Sequence, residues 1–210
     1  MRVIAGSAGG IRLAVPKRGV RPTMDRVKAA IFSSLGDAVA GACVLDLFAG
    51  SGALGIEALS RGASSGVFVE EDQQSAEIIE RNLAKTKLKG RVRQQNVFGF
   101  LRHAGVEAAV SAAGRLAQAP PQHEVKERFD IVFADPPYEK TKCGESYTEK
   151  LLTNQALPRL LRSGGVFVLE QRPNEILTEM KFWRIVRRKT YGATEVVFLS
   201  AICNPHSAIR

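Results

Sequence analysis

Apolar runs of about five residues recur along the chain, and most are followed by a turn and then by apolar residues at helical spacing. Two short strands are predicted at 2–5 and 11–15, and a buried strand in the apolar run that begins at Cys43. Further strands are predicted at 66–70, 91–95, 129–134, 166–170, 182–189 and 195–202. The predicted helices lie at 24–35, with Thr23 as its cap, and at 53–61, 73–85, 99–117 and 145–161. Buried strands that alternate with amphipathic helices predict an α/β domain with βαβ connections.

The rest of the prediction depends on the stretch Cys43–Leu59. A short run of strand formers ends in a glycine turn, and the turn opens at once into a helix, as at the start of a βαβ ligand site. Gly50, Gly52 and Gly55 satisfy the G-x-G-x-x-G pattern, so a dinucleotide-binding dehydrogenase is one interpretation. Asp46 favours another, because a carboxylate at the mouth of the loop repels a pyrophosphate and attracts a cation. S-adenosylmethionine (SAM) carries an ammonium and a sulfonium and no phosphate, so SAM is the predicted cofactor.

Two later strand ends provide further cofactor candidates. Glu70 ends the second predicted strand, twenty positions after Gly50 (70 − 50), where such sites place the acid that accepts both ribose hydroxyls. Asn96 follows the third strand, and its amide is predicted to bind the adenine edge, with Val97 or Phe98 against the ring. The predicted cofactor site therefore spans the ends of three successive strands.

The fourth predicted strand leads into Asp135, Pro136, Pro137 and Tyr138. Two consecutive prolines cannot continue a strand ladder, so this loop is predicted to be stiff. An amino nitrogen on a nucleobase is a poor nucleophile because its lone pair is delocalised into the ring. A carboxylate and a backbone carbonyl that accept its two N–H bonds would align it with a sulfonium methyl and favour the developing charge. With Tyr138 stacked on the base, the segment predicts methyl transfer to a base amino group without a metal or a covalent intermediate.

Charge points to a nucleic-acid partner. The formal net charge is +9 and the sequence pI is about 9.8. A basic surface that only aids solubility is the alternative, but the basic residues are clustered, which favours a surface that faces phosphates. The predicted RNA contacts near the amino end are Arg2, Arg12, Arg18, Arg21, Thr23 and Arg26. A second basic cluster near the other end comprises Lys181, Arg184, Arg187, Arg188 and Lys189.

Other classes of protein are not supported by the sequence. No apolar run approaches the ~20 residues that span a bilayer, and the first residues lack the apolar segment of a secretory signal. We therefore expect a soluble, cytoplasmic protein. Cys43, Cys143 and Cys203 show no C-x-x-C spacing, and the three histidines are scattered, so neither disulfides nor a metal site is expected.

Several of these segments together resemble the RsmD family of bacterial 16S rRNA guanine-N2 methyltransferases. The segments are Arg21-Pro22-Thr23, Asp25-Arg26-Val27, the loop from Asp46 to Leu59, Glu70 and Asp135-Pro136-Pro137-Tyr138. The resemblance implies a SAM-dependent methyltransferase (Rossmann-like) fold, with a seven-stranded, mostly parallel sheet whose last strand is antiparallel. It also implies that SAM is held by Asp46, Phe48, Gly50, Ser51, Gly52, Glu70 and Asn96.

The same resemblance implies a target guanine in the helix-31 loop of small-subunit rRNA, held by residues 135–138. The expected organisation is a basic N-terminal β-hairpin at 1–20, a methyltransferase domain at 21–203 and a tail at 204–210. The stretch between Phe98 and Phe129 is interpreted as a surface insertion. We expect a monomer that acts on rRNA, within a small-subunit particle.

Two further hypotheses remain open at this point. An adenine-N6 DNA methyltransferase uses the same D-P-P-Y chemistry, although such enzymes generally need a separate target-recognition region. A non-catalytic RNA-binding assembly factor would share the charge, but it has no need of the glycine loop, Glu70 and D-P-P-Y together.

Overall fold

The computed structural model describes residues 1–16, 25–104, 127–138, 144, 146–173, 175 and 180–202. Its strands are β1 (Cys43–Leu47), β2 (Ser65–Glu70), β3 (Arg91–Gln94), β4 (Phe129–Ala134), β5 (Leu161–Gln171), β6 (Trp183–Tyr191) and β7 (Thr194–Ala201). Its helices are α1 (Asp25–Leu35), α2 (Ala53–Ser60), α3 (Gln73–Thr86), α4 (97–104), α5 (Tyr147–Leu152) and α6 (Leu157–Leu160), with a 3-10 turn at Gly36–Val39.

The strands of the described ranges form one sheet in the order β3-β2-β1-β4-β5-β7-β6. Neighbours from β3 to β5 pair in parallel, whereas β7 runs antiparallel to both β5 and β6. The sequence-based fold class, with its antiparallel last strand, is thereby confirmed. The chain leaves β1 towards β2 and later returns on the other side as β4. Ligands of such sheets bind outside the carboxyl ends of the strands at this switch point.

Helices cover both faces of the sheet, which explains the nearly continuous apolar runs of the central strands. Leu45 and Leu47 pack with α4, α5 and α6 on one face, whereas Val44 packs with α1 and α2 on the other. This alternation follows from the two-residue period of a strand. The carboxyl ends of β1 and β4 are therefore held by a core on both sides.

Two element predictions in the second half of the chain were wrong. The helix predicted at 145–161 is divided into α5 and α6. The side chain of Asn154 accepts the N–H groups of Ala156 and Leu157 at 2.9 and 3.0 Å, which starts a new helix, and Pro158 lies in its first turn. β5 begins at Leu161 and includes the predicted turn at 163–165. α4 begins two residues before its predicted start (99 − 97), and its predicted continuation to 117 lies outside the described residues.

The N-terminal segment, residues 1–16, reverses direction as predicted but does not form two strands. Its antiparallel pairing is a single bridge between Arg2 and Arg12. The N–H groups of Ile4 and Ala5 bind the carboxylate of Glu57 on α2, at 2.7 and 3.1 Å. Because Val3 donates across to Ile11, the N–H of Ala5 is the next one that could extend the ladder, and it is not available. The predicted domain boundaries at 20 and 203 lie outside the described residues, so the division stays a prediction.

Candidate active site

A cavity of about 830 Å³ opens at the carboxyl ends of β1, β2, β4 and β5. Its wall includes the segment after β1, the end of β2 and the loop after β4. The sequence-predicted residues that line it are Asp46, Phe48, Gly50, Ser51, Glu70, Val97, Asp135, Pro136, Pro137 and Tyr138. The structure thus brings both halves of the predicted site to one cavity.

The glycine loop connects β1 to α2 through backbone conformations that other residues adopt at a cost. Gly52 has φ +75° directly before α2. A Cβ atom on Gly55 would lie 2.3 Å from the ring of Phe68, so this position needs a hydrogen for close packing of α2 on β2. The N–H of Gly55 also donates to Oδ2 of Asp46 at 2.9 Å. The loop is therefore fixed by packing as well as by hydrogen bonding.

Phe48 occupies the left-handed region with φ +56°, which is unusual for a residue with a large side chain. Its ring lies 6.1 Å from Phe98 and 5.6 Å from Tyr147, centroid to centroid. Such strained residues occur where the surrounding structure holds them, often at functional sites. The strain at Phe48 places an aromatic ring in the wall of the cavity.

The carboxylate of Glu70 joins β2 to the glycine loop. Oε2 accepts the N–H of Gly50 at 2.7 Å, and Oε1 accepts the N–H of Asp72 at 2.9 Å. Each carboxylate oxygen can accept a second hydrogen bond, so both remain suited to hydroxyl donors in the cavity. Glu70 therefore positions the loop and faces the cavity at once.

Asp46 is 3% exposed, and burial raises its pKa to about 8. The hydrogen bond from the N–H of Gly55 lowers this pKa, whereas the negative charges of Asp135 and Glu70 raise it further. The interaction shows that these carboxylates are close enough to affect one another. A site of this kind favours a cationic ligand, because a positive charge offsets the repulsion among the acids.

The loop after β4 faces the same cavity because of the strand register. Phe133 pairs with Asp46 of β1, and Asp135 follows two residues later. At the outer end of the loop, the guanidinium carbon of Arg172 lies 5.2 Å from the ring centroid of Tyr138, in a cation–π contact. Tyr138 and Arg172 both line the cavity, so the site combines an acid, a stiff loop and a flat aromatic surface.

Some sequence-predicted residues lie elsewhere. Gly52 and Asn96 do not line the cavity. The side chain of Asn96 instead accepts the N–H groups of Phe98 and Gly99, as a helix cap does, and donates to Glu71. A direct role of Asn96 at the adenine stays a prediction.

Of the predicted RNA contacts, Arg2, Arg12 and Arg26 are exposed. Arg2 follows Met1, which lines the cavity, so the basic surface begins at the cavity's edge. Arg18, Arg21 and Thr23 lie outside the described residues.

Sequence reasoning missed several cavity residues, among them Met1, Gln94, Tyr147, Glu170, Arg172 and Thr194. Gln94 and Glu170 lie near the carboxyl ends of predicted parallel strands, where ligands of such folds bind, so their position in the sequence could have identified them. Met1, Tyr147 and Thr194 reach the cavity through tertiary packing that local patterns do not encode.

The described residues contain neither a metal centre nor a membrane span. Within those ranges, no group of three or more His, Cys, Asp or Glu side chains is arranged to hold a metal ion. No helix in that part of the chain is long and apolar enough to cross a bilayer.

Known proteins share this architecture. The family model described as conserved hypothetical protein 95 matches residues 1–200. Ribosomal RNA small subunit methyltransferase D of Escherichia coli (strain K12) is 32% identical over 194 residues, covering 91% of this chain and 85% of that protein. The structure of a hypothetical protein of Thermus thermophilus matches with a TM-score of 0.72 at 28% identity, covering 95% of this chain and 99% of that one. The T. thermophilus 16S rRNA N2 G1207 methyltransferase RsmC, in complex with AdoMet and guanosine, matches with a TM-score of 0.59 at 25% identity, covering 88% of this chain and 44% of that one.

The strand order, the glycine loop after β1 and the cavity shared by β1 and β4 define a Rossmann-like fold of the SAM-dependent methyltransferase class. Within this class the chain belongs to the RsmD family. The family resemblance found in the sequence is thereby confirmed.

Proposed function

We propose that this protein transfers a methyl group from SAM to the exocyclic N2 of a guanine in 16S rRNA. One observation carries the proposal: the acid-lined glycine loop and the D-P-P-Y segment open onto the same cavity. The relatives support it by name, since one is a small-subunit rRNA methyltransferase and another was solved with AdoMet and guanosine. The dehydrogenase interpretation has no such support.

The cofactor half of the cavity suits SAM by charge and shape. Asp46 and the other acids favour the ammonium and sulfonium, while Glu70 accepts hydrogen bonds from the ribose hydroxyls. Phe48 and Val97 provide apolar surface for the adenine ring, and Gly50 and Ser51 of the glycine loop also line the cavity. When bound, SAM supplies an electrophilic methyl group on a sulfonium.

The target half orients the amino group. The carboxylate of Asp135 and a backbone carbonyl of the proline loop accept the two N–H bonds of N2, which directs the nitrogen lone pair towards the methyl group. As the bond from nitrogen to the methyl group forms and the sulfonium–methyl bond breaks, positive charge would develop on nitrogen and the nearby carboxylate would stabilise it. The methylated nitrogen would then lose one proton to solvent, which leaves the neutral N-methyl product. Tyr138 stacks on the guanine, and the base must be unpaired or flipped because N2 is engaged within a base pair.

The proposed substrate is a guanine of the helix-31 loop, presented in a small-subunit particle in the cytoplasm and recognised by a monomer. Mass spectrometry of nucleosides from small-subunit rRNA, from cells with and without the gene, tests this directly. Loss of one N2-methylguanosine on deletion is the expected result. If all such nucleosides persist and genomic DNA instead loses N6-methyladenine, the DNA methyltransferase alternative is correct.

Cofactor binding is expected to depend on pH through Asp46. Because the pKa of Asp46 is about 8 in the protein itself, the carboxyl is largely protonated at pH 7, and a bound cation lowers the pKa and releases the proton. The affinity for SAM should therefore rise with pH up to about 8 and level off above it. Calorimetry in buffers of different ionisation enthalpy measures the proton released.

The matched control is Asp46→Asn, which removes the titration while keeping an oxygen that can accept the N–H of Gly55. The amino group of SAM also titrates, but it does so equally with both proteins. Its contribution cancels when the pH dependence of the Asp46→Asn affinity is subtracted from that of the wild type. Equal pH dependence in both proteins would contradict the assignment.

The exposed basic residues Arg2, Arg12 and Arg26 are proposed to contact rRNA phosphates. Each phosphate contact contributes about 0.7 to the slope of log K against log salt for single-stranded RNA. Replacing Arg12 and Arg26 with glutamine should lower this slope by roughly 1.4 in total, measured by RNA binding over a series of salt concentrations. Arg81→Gln, an exposed position on α3, is the control, and an equal effect there would indicate non-specific attraction.

A further inference from the structure

Glu170 is a buried acid in the cavity whose role the mechanism above does not use. It lies at the end of β5, is 5% exposed and lines the same cavity as Asp135 and Tyr138. A position in the cavity wall gives this carboxylate access to a bound molecule.

The strand register places Glu170 beside the segment that holds the amino group. Ala134 of β4 pairs with Leu169 of β5, so the next residues, Asp135 and Glu170, are neighbours across adjacent strands, which lie about 5 Å apart. Val168 packs on the α1 face, and Glu170 is two residues further on the same strand and so on the same face. An oriented base therefore meets two acids next to each other.

Guanine presents complementary donors to such a pair. Its N1–H and its 2-amino group are adjacent donors, whereas adenine has an acceptor at N1 next to its 6-amino group. With the amino group held by Asp135, the neighbouring ring position would face Glu170, which lies beside Asp135 and lines the same cavity. A carboxylate there accepts a hydrogen bond from guanine N1–H and repels the N1 lone pair of adenine.

On the basis of the proposed function, we propose that Glu170 accepts the N1–H of the target guanine and thereby selects guanine N2 over adenine N6. D-P-P-Y chemistry is common to both reactions, so the choice of base needs a group outside that segment. Sites that bind a specific N–H discriminate strongly against a base that lacks it, because a lone pair of that base then faces the carboxylate in place of a donor. For one good base contact the discrimination is about 5- to 150-fold.

The test replaces the target guanine with 2-aminopurine, which keeps the 2-amino group but has an acceptor at N1. Small-subunit particles are reconstituted with rRNA that carries either base at the target position mapped by nucleoside mass spectrometry. Wild-type protein should favour guanine in kcat/KM. In Glu170→Gln the new amide can donate to N1, so the preference for guanine should fall by about 5- to 150-fold. Guanine and 2-aminopurine also differ in intrinsic reactivity, but this difference is the same for both proteins. It therefore cancels when the kcat/KM ratio of the variant is compared with that of the wild type.

The matched control is Glu195→Gln, a buried acid on β7 that pairs with Gln171 and Arg188 and does not line the cavity. This variant should leave the ratio of kcat/KM for guanine to kcat/KM for 2-aminopurine unchanged. If Glu170→Gln lowers kcat/KM equally for guanine and 2-aminopurine, or changes it for neither base, the inference is overturned while the proposed function stands. If wild-type protein fails to methylate guanine at all, the proposed function is overturned together with the inference.

Discussion

Replacing Asp135 with alanine is expected to lower kcat for methyl transfer by at least about 10²–10³-fold. The carboxylate acts on charge that develops only as the amino nitrogen attacks, so its loss affects the transition state more than binding. The affinity for SAM should change by less than about tenfold, since the effect of Asp135 on Asp46 is one of charge and is smaller than that of burial. Single-turnover transfer of labelled methyl groups and calorimetry with SAM measure the two quantities separately.

Two further variants make the result specific. Asp135→Asn keeps an acceptor oxygen but no charge, so its activity should lie between those of the alanine variant and the wild type. Asp37→Asn removes the same charge from an exposed turn before β1, at the opposite edge of the sheet, and should leave transfer unchanged. An Asp135→Ala protein with ordinary activity would exclude Asp135 from the reaction.

Replacing Lys28 with methionine is expected to lower the free energy of unfolding by about 3–5 kcal/mol. The side chains of Lys28 and Glu57 are both fully buried, with 3.2 Å between Nζ and Oε2, and Nζ also donates to the carbonyl of Arg2 at 2.5 Å. Burial lowers the pKa of Lys28, and the charge of Glu57 opposes that shift. Without the lysine, Glu57 keeps its bonds to the N-terminal segment and Arg61 but remains a buried charge with less compensation.

Thermal and denaturant unfolding measure this loss, and for a chain of this size each kcal/mol lowers Tm by roughly 2–4 °C. Lys85→Met is the matched control, because Lys85 also donates to a carbonyl of the N-terminal segment, that of Arg12 at 2.7 Å, but is exposed. It should cost less than about 1 kcal/mol. Equal losses in the two variants would show that burial of the Lys28–Glu57 pair is unimportant.

The central strands could be predicted closely because each is a short apolar run bounded by turn residues. β4 was predicted at its observed bounds, and β2 began one residue earlier than expected. The prediction was wrong where a single polar side chain redirects the backbone. Asn154 divides a predicted helix, and Glu57 binds the N–H of Ala5, which a longer hairpin would have used. Such contacts end a helix or a strand pairing, but they leave the spacing of apolar residues in the sequence unchanged. A prediction from that spacing therefore does not detect them.

The candidate site was only partly predictable for a related reason. Asp46, Glu70 and Asp135 were found because chemistry in this fold occurs at the carboxyl ends of parallel strands. Glu170 has the same position on β5, but no neighbouring pattern marks it. The buried position of Lys28 is likewise not marked by any local pattern, because its partner Glu57 lies 29 positions away (57 − 28) on another helix.

The sequence by itself determined the alternation of strands and helices, the glycine loop and the stiff segment after β4, because these depend on spacing and on the backbone limits of glycine and proline. Only the tertiary structure decided that the loop and the segment face one cavity, that three acids there interact, and that Glu170 lies beside Asp135. Those facts depend on strand order and register, which arise when residues distant in the chain pack together.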